Sequence, residues 1–281
     1  MVWYLPWCDW ELRRRFEAVV RPFLADLHIH TVLSPCASFE MAPTRIVERS
    51  RRRGLDIIAI TDHNSAENAG AVMEAARGMG LTVLPGLEVE TREEVHVLTF
   101  FPTLQQALVW QEEVYAHLPD VPNDEALFGA QAIVDSSDRL LGINRRRLLT
   151  ATSLGFDQVV RRAGAIGGFC LPAHVDRPAY GLLGVLGFVP EGLDLPALEV
   201  SPRCVGLAPD LLAGRRIVRS SDAHTLDAIG SSFTILHLQA PTLDEIVLAC
   251  RGLRGRKIEG YGRFQPQGRS KPQGRSKDEG G

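Results

Sequence analysis

Short apolar runs rich in branched residues alternate with helix-like segments along most of the chain, and this alternation restricts the fold more than any other feature. Such runs are typical of buried strands, and strands separated by helical segments are typical of βα units. Eight runs qualify, at 24–30, 55–61, 81–89, 95–101, 166–174, 195–201, 216–221 and 233–238. The pattern predicts an α/β fold with a closed or nearly closed parallel barrel.

Helix signals lie between these runs. Residues 43–53 have proline in the first turn and are followed by Gly54, and residues 66–79 are followed by Gly80. Thr242 and Glu245 form a capping box that predicts a late helix. Residues 103–163 interrupt the alternation of apolar runs and helical segments, and we predict that they form a helical insertion between the fourth and fifth strands.

Both ends of the chain are expected to lie outside the barrel. The barrel is predicted over residues 24–260, after an N-terminal arm at 1–23 and before a basic tail at 261–281. In the tail the hexapeptide Pro-Gln-Gly-Arg-Ser-Lys occurs twice in tandem, at 266–271 and 272–277. This composition cannot bury apolar surface and predicts disorder.

The charge distribution restricts the partners. The chain has 31 basic and 34 acidic side chains, but residues 251–281 hold nine basic and three acidic ones, which leaves 22 and 31 in the first 250 residues. An acidic body disfavours binding to a long nucleic-acid duplex or a membrane surface. Five scattered cysteines without a CxxC pair, together with an N-terminus unlike a signal peptide, predict a cytoplasmic protein.

Polar residues with metal-binding chemistry recur at the ends of the predicted strands. Asp26, His28 and His30 end the first strand, and alternation along a strand predicts that all three point to one face. Later strand ends carry Asp62 and His63, Glu88, His96, His174, and the pair Asp222 and His224. In a parallel barrel the carboxyl ends of the strands meet at one rim. Six of the eight histidines are therefore expected around one site.

Imidazoles and carboxylates without clustered thiolates favour Zn, Mn or Fe, and eight protein ligands exceed what one ion takes. Two or three divalent ions are therefore expected as cofactors. Glu88 is the natural bridge, because its two oxygens can bind neighbouring cations. Asp26 and Asp62 are expected to accept hydrogen bonds from ligand histidines and thereby fix their tautomers.

The ordered motifs Asp-Leu-His-Ile-His, Thr-Asp-His-Asn, Pro-Gly-Leu-Glu, Pro-Ala-His and Ser-Asp-Ala-His, together with the lone His96, resemble those of the PHP (polymerase and histidinol phosphatase) family of metal-dependent phosphoesterases. The resemblance covers about residues 24–238. It implies a distorted (βα)7 TIM-like barrel, one strand fewer than the periodicity predicts, with up to three metal ions at the carboxyl rim. The implied ligands are His28, His30, Glu88 and Asp222 for the first ion, Glu88, His96 and His174 for the second, and His63 and His224 for the third.

The loop after the first histidine pair departs from the family pattern. Many members complete the third site there with a histidine or aspartate, whereas this chain offers Cys36. Cys36 is a candidate thiolate ligand, and it is equally a candidate small buried residue.

These residues predict a metal-dependent phosphoesterase, acting as a phosphatase or an exonuclease. A metal-bridged hydroxide would attack a phosphate mono- or diester of a small metabolite, a nucleotide or an oligonucleotide end. Arg177 is expected to bind the phosphate, because a guanidinium group can donate hydrogen bonds to two phosphate oxygens at once. A surface arginine paired with Asp176 is the alternative.

Two other classes of function remain open. One is a metal-dependent amidohydrolase, although the carboxylated lysine that often bridges paired metals has no counterpart here, since no lysine precedes Lys257. The other is a metal-stabilised module without catalysis that docks on nucleic acid or a polymerase.

Overall fold

The computed structural model describes residues 19–207, 209–212 and 214–262. Most of the predicted arm (1–23) and of the predicted disordered tail (261–281) lies outside the described residues, but residues 21–23 belong to the first strand and residues 261–262 to the last, so both bounds are corrected. A curled seven-stranded sheet has the order β11-β10-β1-β2-β3-β4-β7. Its strands are β1 (Arg21–Ile29), β2 (Ile57–Ile60), β3 (Thr82–Glu90), β4 (His96–Phe100), β7 (Phe169–Pro172), β10 (Phe233–Leu238) and β11 (Lys257–Gly262).

Two short sheets complete the strands. β8 (Ala197–Val200) and β9 (Arg216–Arg219) form a parallel pair, and β5 (Ala132–Val134) and β6 (Leu140–Ile143) form an antiparallel hairpin. β8 lies against β7, and β9 lies against β10 and β11. The β8–β9 pair thus stands between the two ends of the large sheet, so the strands enclose a distorted barrel. The expected barrel type is confirmed.

The strand directions correct the prediction of a parallel barrel. β1, β2 and β3 run parallel, but β4 is antiparallel to both β3 and β7, and β10 is antiparallel to β1. Reversal of β4 has a functional consequence, since the amino end of that strand lies beside the carboxyl end of β3. Its first residue, His96, pairs with Glu90. His96 thereby reaches the carboxyl rim from the start of a strand.

Eight helices accompany the strands in the described part of the chain. They are α1 (Pro43–Arg52), α2 (Ala69–Ala75), α3 (Leu104–Ala116), α4 (Glu125–Phe128), α5 (Phe156–Ala165), α6 (Leu182–Leu186), α7 (Pro209–Leu212) and α8 (Leu243–Arg251). α8 begins where the capping box predicts a helix, but only half of the box forms: the Thr242 side chain accepts a hydrogen bond from Glu245 N, whereas the Glu245 carboxylate accepts from Gln239 N instead of Thr242 N. None of these helices combines the length and the apolar character that crossing a bilayer requires.

The region predicted as a helical insertion, 103–163, has mixed structure. α3 packs against β3, and α5 packs against β7 and β4, so both helices join the layer around the barrel. Trp110 on α3 is fully buried and donates a hydrogen bond to Thr99 Oγ1 of β4 (3.1 Å). Between α3 and α5 the chain forms α4 and the β5–β6 hairpin instead of a continuous helical unit.

The apolar core consists of two clusters, one inside the barrel at one end and one between the sheet and the helices. One cluster of buried side chains fills the end where β1, β2 and β7 begin and β4 and β10 end; it includes Phe23, Ile57, Phe100, Phe169 and Leu238. A second cluster lies between the sheet and α1, α2, α3 and α5. The opposite end of the barrel is left to polar side chains, which are buried there. Buried polar groups need partners.

Candidate metal centre

Six histidines and two carboxylates form one cluster at the rim of the barrel. His28 comes from β1, Glu88 from β3 and His96 from the start of β4, and the other members follow strand ends. His63 is held beside Glu88 by a parallel bridge, and Ala223 is held beside Ile29 in the same way. The structure therefore brings together all eight residues that the motifs single out as metal ligands, namely His28, His30, His63, Glu88, His96, His174, Asp222 and His224.

The carboxylate of Glu88 is the centre of this cluster. Five imidazole nitrogens surround it, on His28 (3.3 Å), His30 (3.4 Å), His63 (3.2 Å), His96 (2.8 Å) and His174 (3.2 Å). Both Glu88 oxygens take part, Oε1 towards three of the rings and Oε2 towards two. A carboxylate placed in this way can hold two cations at once.

Potential ligand atoms fall into three groups, in each of which all atoms lie within 4.8 Å of one another. The groups are His28, His30 and Asp222; His63, Glu88 and His96; and His30, His63 and His224. The first contains three of the four ligands implied for the first ion, without Glu88, and the second contains His63 where the resemblance implies His174. The third contains His30 where the sequence offered Cys36.

Several buried polar atoms of the cluster have no hydrogen-bond partner. Among the described residues this holds for His63 Nδ1, His96 Nε2 and His174 Nδ1, and for Glu199 Oε1 beneath His28. A buried polar atom without a partner costs about 1–3 kcal/mol. His63 Nδ1 is the one of these atoms that faces Glu88 Oε2 (3.2 Å), and an imidazole nitrogen and a carboxylate oxygen placed in this way fit a divalent cation.

Burial and mutual charge shift the pKa values of the cluster in opposite directions. Burial opposes the charged form of Glu88, but His96, His28 and His63 outweigh it and hold the pKa of that carboxyl well below its usual range. Burial would likewise lower the pKa of His30, but hydrogen bonds with Asp222 and Glu88 raise it to about 9. The pKa of His224 falls to about 4, through burial first and the neighbouring His30 second. Opposed shifts within one cluster are typical of functional sites.

The prediction that Asp62 accepts a hydrogen bond directly from a histidine is corrected, because Asp62 reaches His30 only through Ser34. The Asp62 carboxylate accepts hydrogen bonds from Thr31 N, Thr31 Oγ1 and Ser34 Oγ, each at 2.7 Å. Because Ser34 Oγ donates to Asp62, it must accept from His30 Nδ1, which lies 2.9 Å away. This leaves His30 Nε2 as the nitrogen that faces Glu88, as expected for a ligand histidine held by its outer nitrogen.

The prediction for Asp26 is corrected. The register between β1 and β2 shifts between Asp26 and Ile29, and this irregularity breaks the alternation that would have put Asp26 beside the histidines. The Asp26 carboxylate instead accepts hydrogen bonds from Ser221 N (2.9 Å), Ser221 Oγ (2.6 Å) and Gly230 N (2.8 Å). Asp26 thus anchors the loop that carries Asp222.

Glu199 on β8 takes the part that was expected of Asp26, and the sequence analysis missed it. Its side chain is 2% exposed, and Oε2 accepts hydrogen bonds from His28 Nδ1 and His174 N, both at 3.0 Å. The signal that could have revealed it is a single carboxylate inside the apolar run Ala-Leu-Glu-Val, because an unpaired buried charge is rare.

Replacing Glu199 by glutamine is expected to lower kcat/KM for a phosphoester, or the affinity for metal, by about 10- to 100-fold. Glutamine keeps the size but removes the charge that orients His28. Steady-state kinetics and metal titration of the purified variant measure both quantities. Glu48→Gln is the matched control, because Glu48 pairs with Arg52 on the exposed face of α1. Equal values for Glu199→Gln and Glu48→Gln would show that the contact with His28 is not needed.

Cys36 and Arg177 line the same cavity, which has a volume of about 530 Å³. The Cys36 thiol belongs to none of the three ligand groups, and Cys36 is exposed, so the structure supports neither a thiolate ligand nor a small buried residue at this position. Desolvation of the thiol beside the cavity, followed by the charge of Glu88, raises the pKa of Cys36 to about 12. Arg177 Nη2 lies 2.6 Å from Asp222 Oδ2, whereas the carboxylate of Asp176 bonds Ser201. The alternative of an Arg177–Asp176 surface pair is therefore wrong.

The loop that begins at His174 is tightly wound, and its conformation fixes Arg177. His174 and Asp222 both have left-handed backbone, at φ 30° and 51°, which is uncommon away from glycine and often found at functional sites. A Cβ at Gly181 would lie 2.3 Å from Arg177 O and 2.8 Å from His174 O. Position 181 therefore requires glycine.

We expect Gly181→Ala to lower the free energy of unfolding by about 1–3 kcal/mol, because the added methyl group would force the loop apart. Activity should fall with it, since Arg177 and His174 lie on the loop that moves. Gly164→Ala is the control: nothing lies within 4 Å of a Cβ there, and α5 continues through it. Urea unfolding of the two variants measures the difference, and equal stability would contradict the close packing.

Comparison with known proteins places this geometry in context. Residues 26–177, more than half of the chain, match the PHP domain family. The uncharacterized protein YqxK of Bacillus subtilis (strain 168) is 26% identical over 273 residues, which covers 85% of this chain and 64% of the relative.

Two solved structures are similar in fold. The lesion-specific endonuclease PfuEndoQ from Pyrococcus furiosus superposes with a TM-score of 0.66 at 21% identity, over 88% of this chain and 60% of its own. Endonuclease Q in complex with a 27-mer duplex substrate, with an abasic lesion at the active site, gives a TM-score of 0.64 at 20% identity, over 85% of this chain and 58% of its own. The chain spans about three fifths of the length of these relatives.

Proposed function

The chain belongs to the PHP family and is a metal-dependent hydrolase of the PHP type, and from this premise we propose that it hydrolyses the phosphate ester of a nucleotide or of a nucleic-acid end. The observation that carries the proposal is the set of five imidazole nitrogens around the two oxygens of Glu88, beside an open cavity that also contains Arg177.

The proposed ligands are the sets that the family resemblance implies, and the contacts around Glu88 support them. His28, His30, Glu88 and Asp222 would hold a first ion, and Glu88 with His96 and His174 would hold a second. His63 and His224 would hold a third, with His30 rather than Cys36 nearby. When bound, two or three divalent ions such as Zn, Mn or Fe supply an activated water near neutral pH and neutralise charge on phosphate oxygens.

The protein's own residues would orient these groups and the substrate. Glu199 holds the His28 ring by its outer nitrogen, and the Asp62–Ser34 pair holds His30. Asp222 Oδ2 engages one nitrogen of Arg177, whose side chain is 39% exposed, so other guanidinium donors stay available to the cavity. Guanidinium binds phosphate oxygens in a bidentate manner, which would fix the ester for attack.

One observation supports a nucleic-acid phosphate, and a separate one favours a short substrate. The similar Endonuclease Q has a 27-mer duplex substrate with an abasic lesion, which favours a nucleic-acid phosphate over that of a sugar metabolite. The acidic surplus in the first 250 residues still favours a short strand or a single nucleotide over a long duplex.

Purified protein tested against mononucleotides, sugar phosphates, short oligonucleotides and p-nitrophenyl phosphate checks the proposal. We expect turnover that His28→Ala and Asp222→Ala each abolish. His237→Ala is the matched control, because His237 pairs with Glu259 on neighbouring strands of the sheet edge and lies outside the cluster. Turnover of dihydroorotate-like amides in place of phosphoesters would support an amidohydrolase, and bound metal without any turnover would support a binding module.

A further inference from the structure

The loop from His174 to Gly184 spans the metal-site cavity and presents a different side chain at each end. Arg177 extends to Asp222 at one end, with Nη2 2.6 Å from Oδ2. Tyr180 covers His96 at the other, with ring centroids 4.6 Å apart and ring planes inclined by 24°. The cavity therefore has a cationic side and an aromatic side.

Tyr180 is held in place by its backbone. Its carbonyl accepts a hydrogen bond from His96 N (2.9 Å), and its φ of 62° is left-handed, a conformation that a tyrosine rarely adopts. Gly184 allows the tight winding behind it, since a Cβ there would lie 2.2 Å from Arg177 O. A strained residue whose position is fixed by its surroundings is a sign of function.

The ring remains available to a ligand. One face of Tyr180 stacks on His96, yet the residue is 44% exposed and lines the cavity. Leu149 and Ala151 add apolar surface to the same cavity, and their segment is tied to it because Thr152 N donates to Glu90 O (2.9 Å). An aromatic ring beside apolar side chains is a stacking surface for a nucleobase.

Two carboxylates accompany this aromatic side. Glu90 and Glu94 both line the cavity, and neither lies within 4.0 Å of a lysine or arginine nitrogen among the described residues. Glu90 Oε2 lies 3.9 Å from His96 Nε2, which places this carboxylate at the end of the cavity that Tyr180 covers. Carboxylates accept hydrogen bonds from sugar hydroxyls and base amino groups, and they repel phosphate.

We propose that the aromatic side of the cavity, formed by Tyr180, Leu149, Ala151, Glu90 and Glu94, binds the nucleoside part of the substrate and excludes a second phosphate. This rests on the proposed function, since the scissile phosphate would lie with Arg177 and the metal ligands. The base stacks on Tyr180, and the carboxylates accept hydrogen bonds from the nucleoside. The substrate is then a nucleotide, or the last nucleotide of a strand, with no further phosphate on the side of Glu94.

The stacking part of the proposal is tested by comparing nucleoside 5′-monophosphates with ribose 5-phosphate, which lacks the base. Stacking on an aromatic side chain is expected to favour the nucleotide in kcat/KM by about ten- to a hundredfold. In Tyr180→Leu this ratio should fall to within about threefold of one, whereas Tyr180→Phe, which keeps the ring, should preserve it. A ratio preserved in Tyr180→Leu would overturn the assignment of Tyr180.

The exclusion of a second phosphate is tested with nucleoside 3′,5′-bisphosphates and with nucleoside 3′-monophosphates. Glu94→Gln is expected to raise kcat/KM for the bisphosphate relative to the monophosphate by about fivefold or more, because one repulsive charge is lost. Glu48→Gln removes a charge from α1, where Glu48 pairs with Arg52, and should leave the ratio unchanged. An unchanged ratio in Glu94→Gln would show that Glu94 does not select the substrate.

A binding measurement tests the nucleoside site independently of phosphoester hydrolysis. Adenosine carries no phosphate, so saturation-transfer NMR on chelator-treated protein reports the nucleoside site alone. We expect a signal that Tyr180→Leu removes, and equal signals from the two proteins would overturn the site. Wild-type protein that hydrolyses no phosphoester contradicts the proposed function. Wild-type protein that hydrolyses nucleotides and ribose 5-phosphate equally well contradicts only the nucleoside site.

Discussion

Replacing Glu88 by glutamine is expected to lower kcat for a phosphoester by about a thousandfold or more and to reduce the bound divalent metal. Five imidazole nitrogens lie within 3.4 Å of the Glu88 oxygens, and this carboxylate belongs to both the first and the second proposed metal position. Glutamine has the same shape but one oxygen, no charge and two N–H donors. It can neither bridge two cations nor offset their charge.

Steady-state kinetics and elemental analysis of protein purified without chelator measure the two effects. The expected order of loss is Glu88→Gln, then Glu199→Gln, then Glu48→Gln, which should match the wild type. The order follows from direct contact with the metals, contact through His28, and no contact. Glu88→Gln with wild-type metal content and kcat within tenfold of the wild type would exclude a bridging carboxylate.

The metal-site residues were predictable because each short motif ends a strand, and a barrel brings strand ends to one rim. His96 fits this rule for a reason that the sequence does not contain. It begins β4 instead of ending it, and it reaches the rim because β4 runs antiparallel to β3. The sequence analysis missed Glu199 because it is a single carboxylate in an apolar strand. Its contacts with His28 and His174 depend on how these residues pack against β8, which the sequence does not show.

The prediction for Asp26 was wrong because a local irregularity in β1 interrupts the alternation of its side chains. Alternation places residues 26, 28 and 30 on one face, and the prediction holds for His28 and His30. The register shift between β1 and β2 moves Asp26 away, to Ser221 and Gly230. Irregularities of this kind depend on pairing with a neighbouring strand, which one strand's own sequence does not specify.

The positions of the strands were predictable because buried strands are apolar. Their directions were not predictable, because a buried strand is apolar in either direction. Apolar runs of six to nine residues must be buried, and each of the eight predicted runs contains a strand. Burial is the same whichever way a strand runs, and the reversal of β4 and β10 therefore left no trace in the periodicity. β11 was missed because its edge position leaves it half exposed, with a sequence, Lys-Ile-Glu-Gly-Tyr-Gly, that is too polar to read as buried.

Removing divalent metal with a chelator is expected to lower the Tm by about 15 °C or more. A ligand present at a thousandfold excess over its Kd stabilises the folded state by about 4 kcal/mol per site. Two sites would contribute about 8 kcal/mol, and each kcal/mol corresponds to roughly 2–4 °C in a domain of this size. Without the ions the unpartnered nitrogen His63 Nδ1 would stay buried beside Glu88 at a cost. Calorimetry of chelator-treated and metal-loaded protein measures the shift.

The chelator-treated protein should also lose more stability between pH 7 and 9 than the metal-loaded protein. Burial opposes protonation of His30, but its contacts with Asp222 and Glu88 raise its folded-state pKa to about 9, above the ordinary 6.5. The folded state therefore holds more protons than the unfolded state, and this stabilisation is present below about pH 6.5 and lost as the pH rises through 9.

Other groups do not produce this difference between the two forms. Asp26, with a pKa of about 6, titrates below the window. Burial raises the pKa values of Cys170 and Cys250 from 9.0 to about 12, so these thiols lower stability at the upper end of the window, but they do so in both forms. Cations take the place of the His30 proton in the loaded protein, so its stability should fall less across the window. If both forms unfold at the same temperature from pH 7 to pH 9, the cluster around Glu88 does not hold metal.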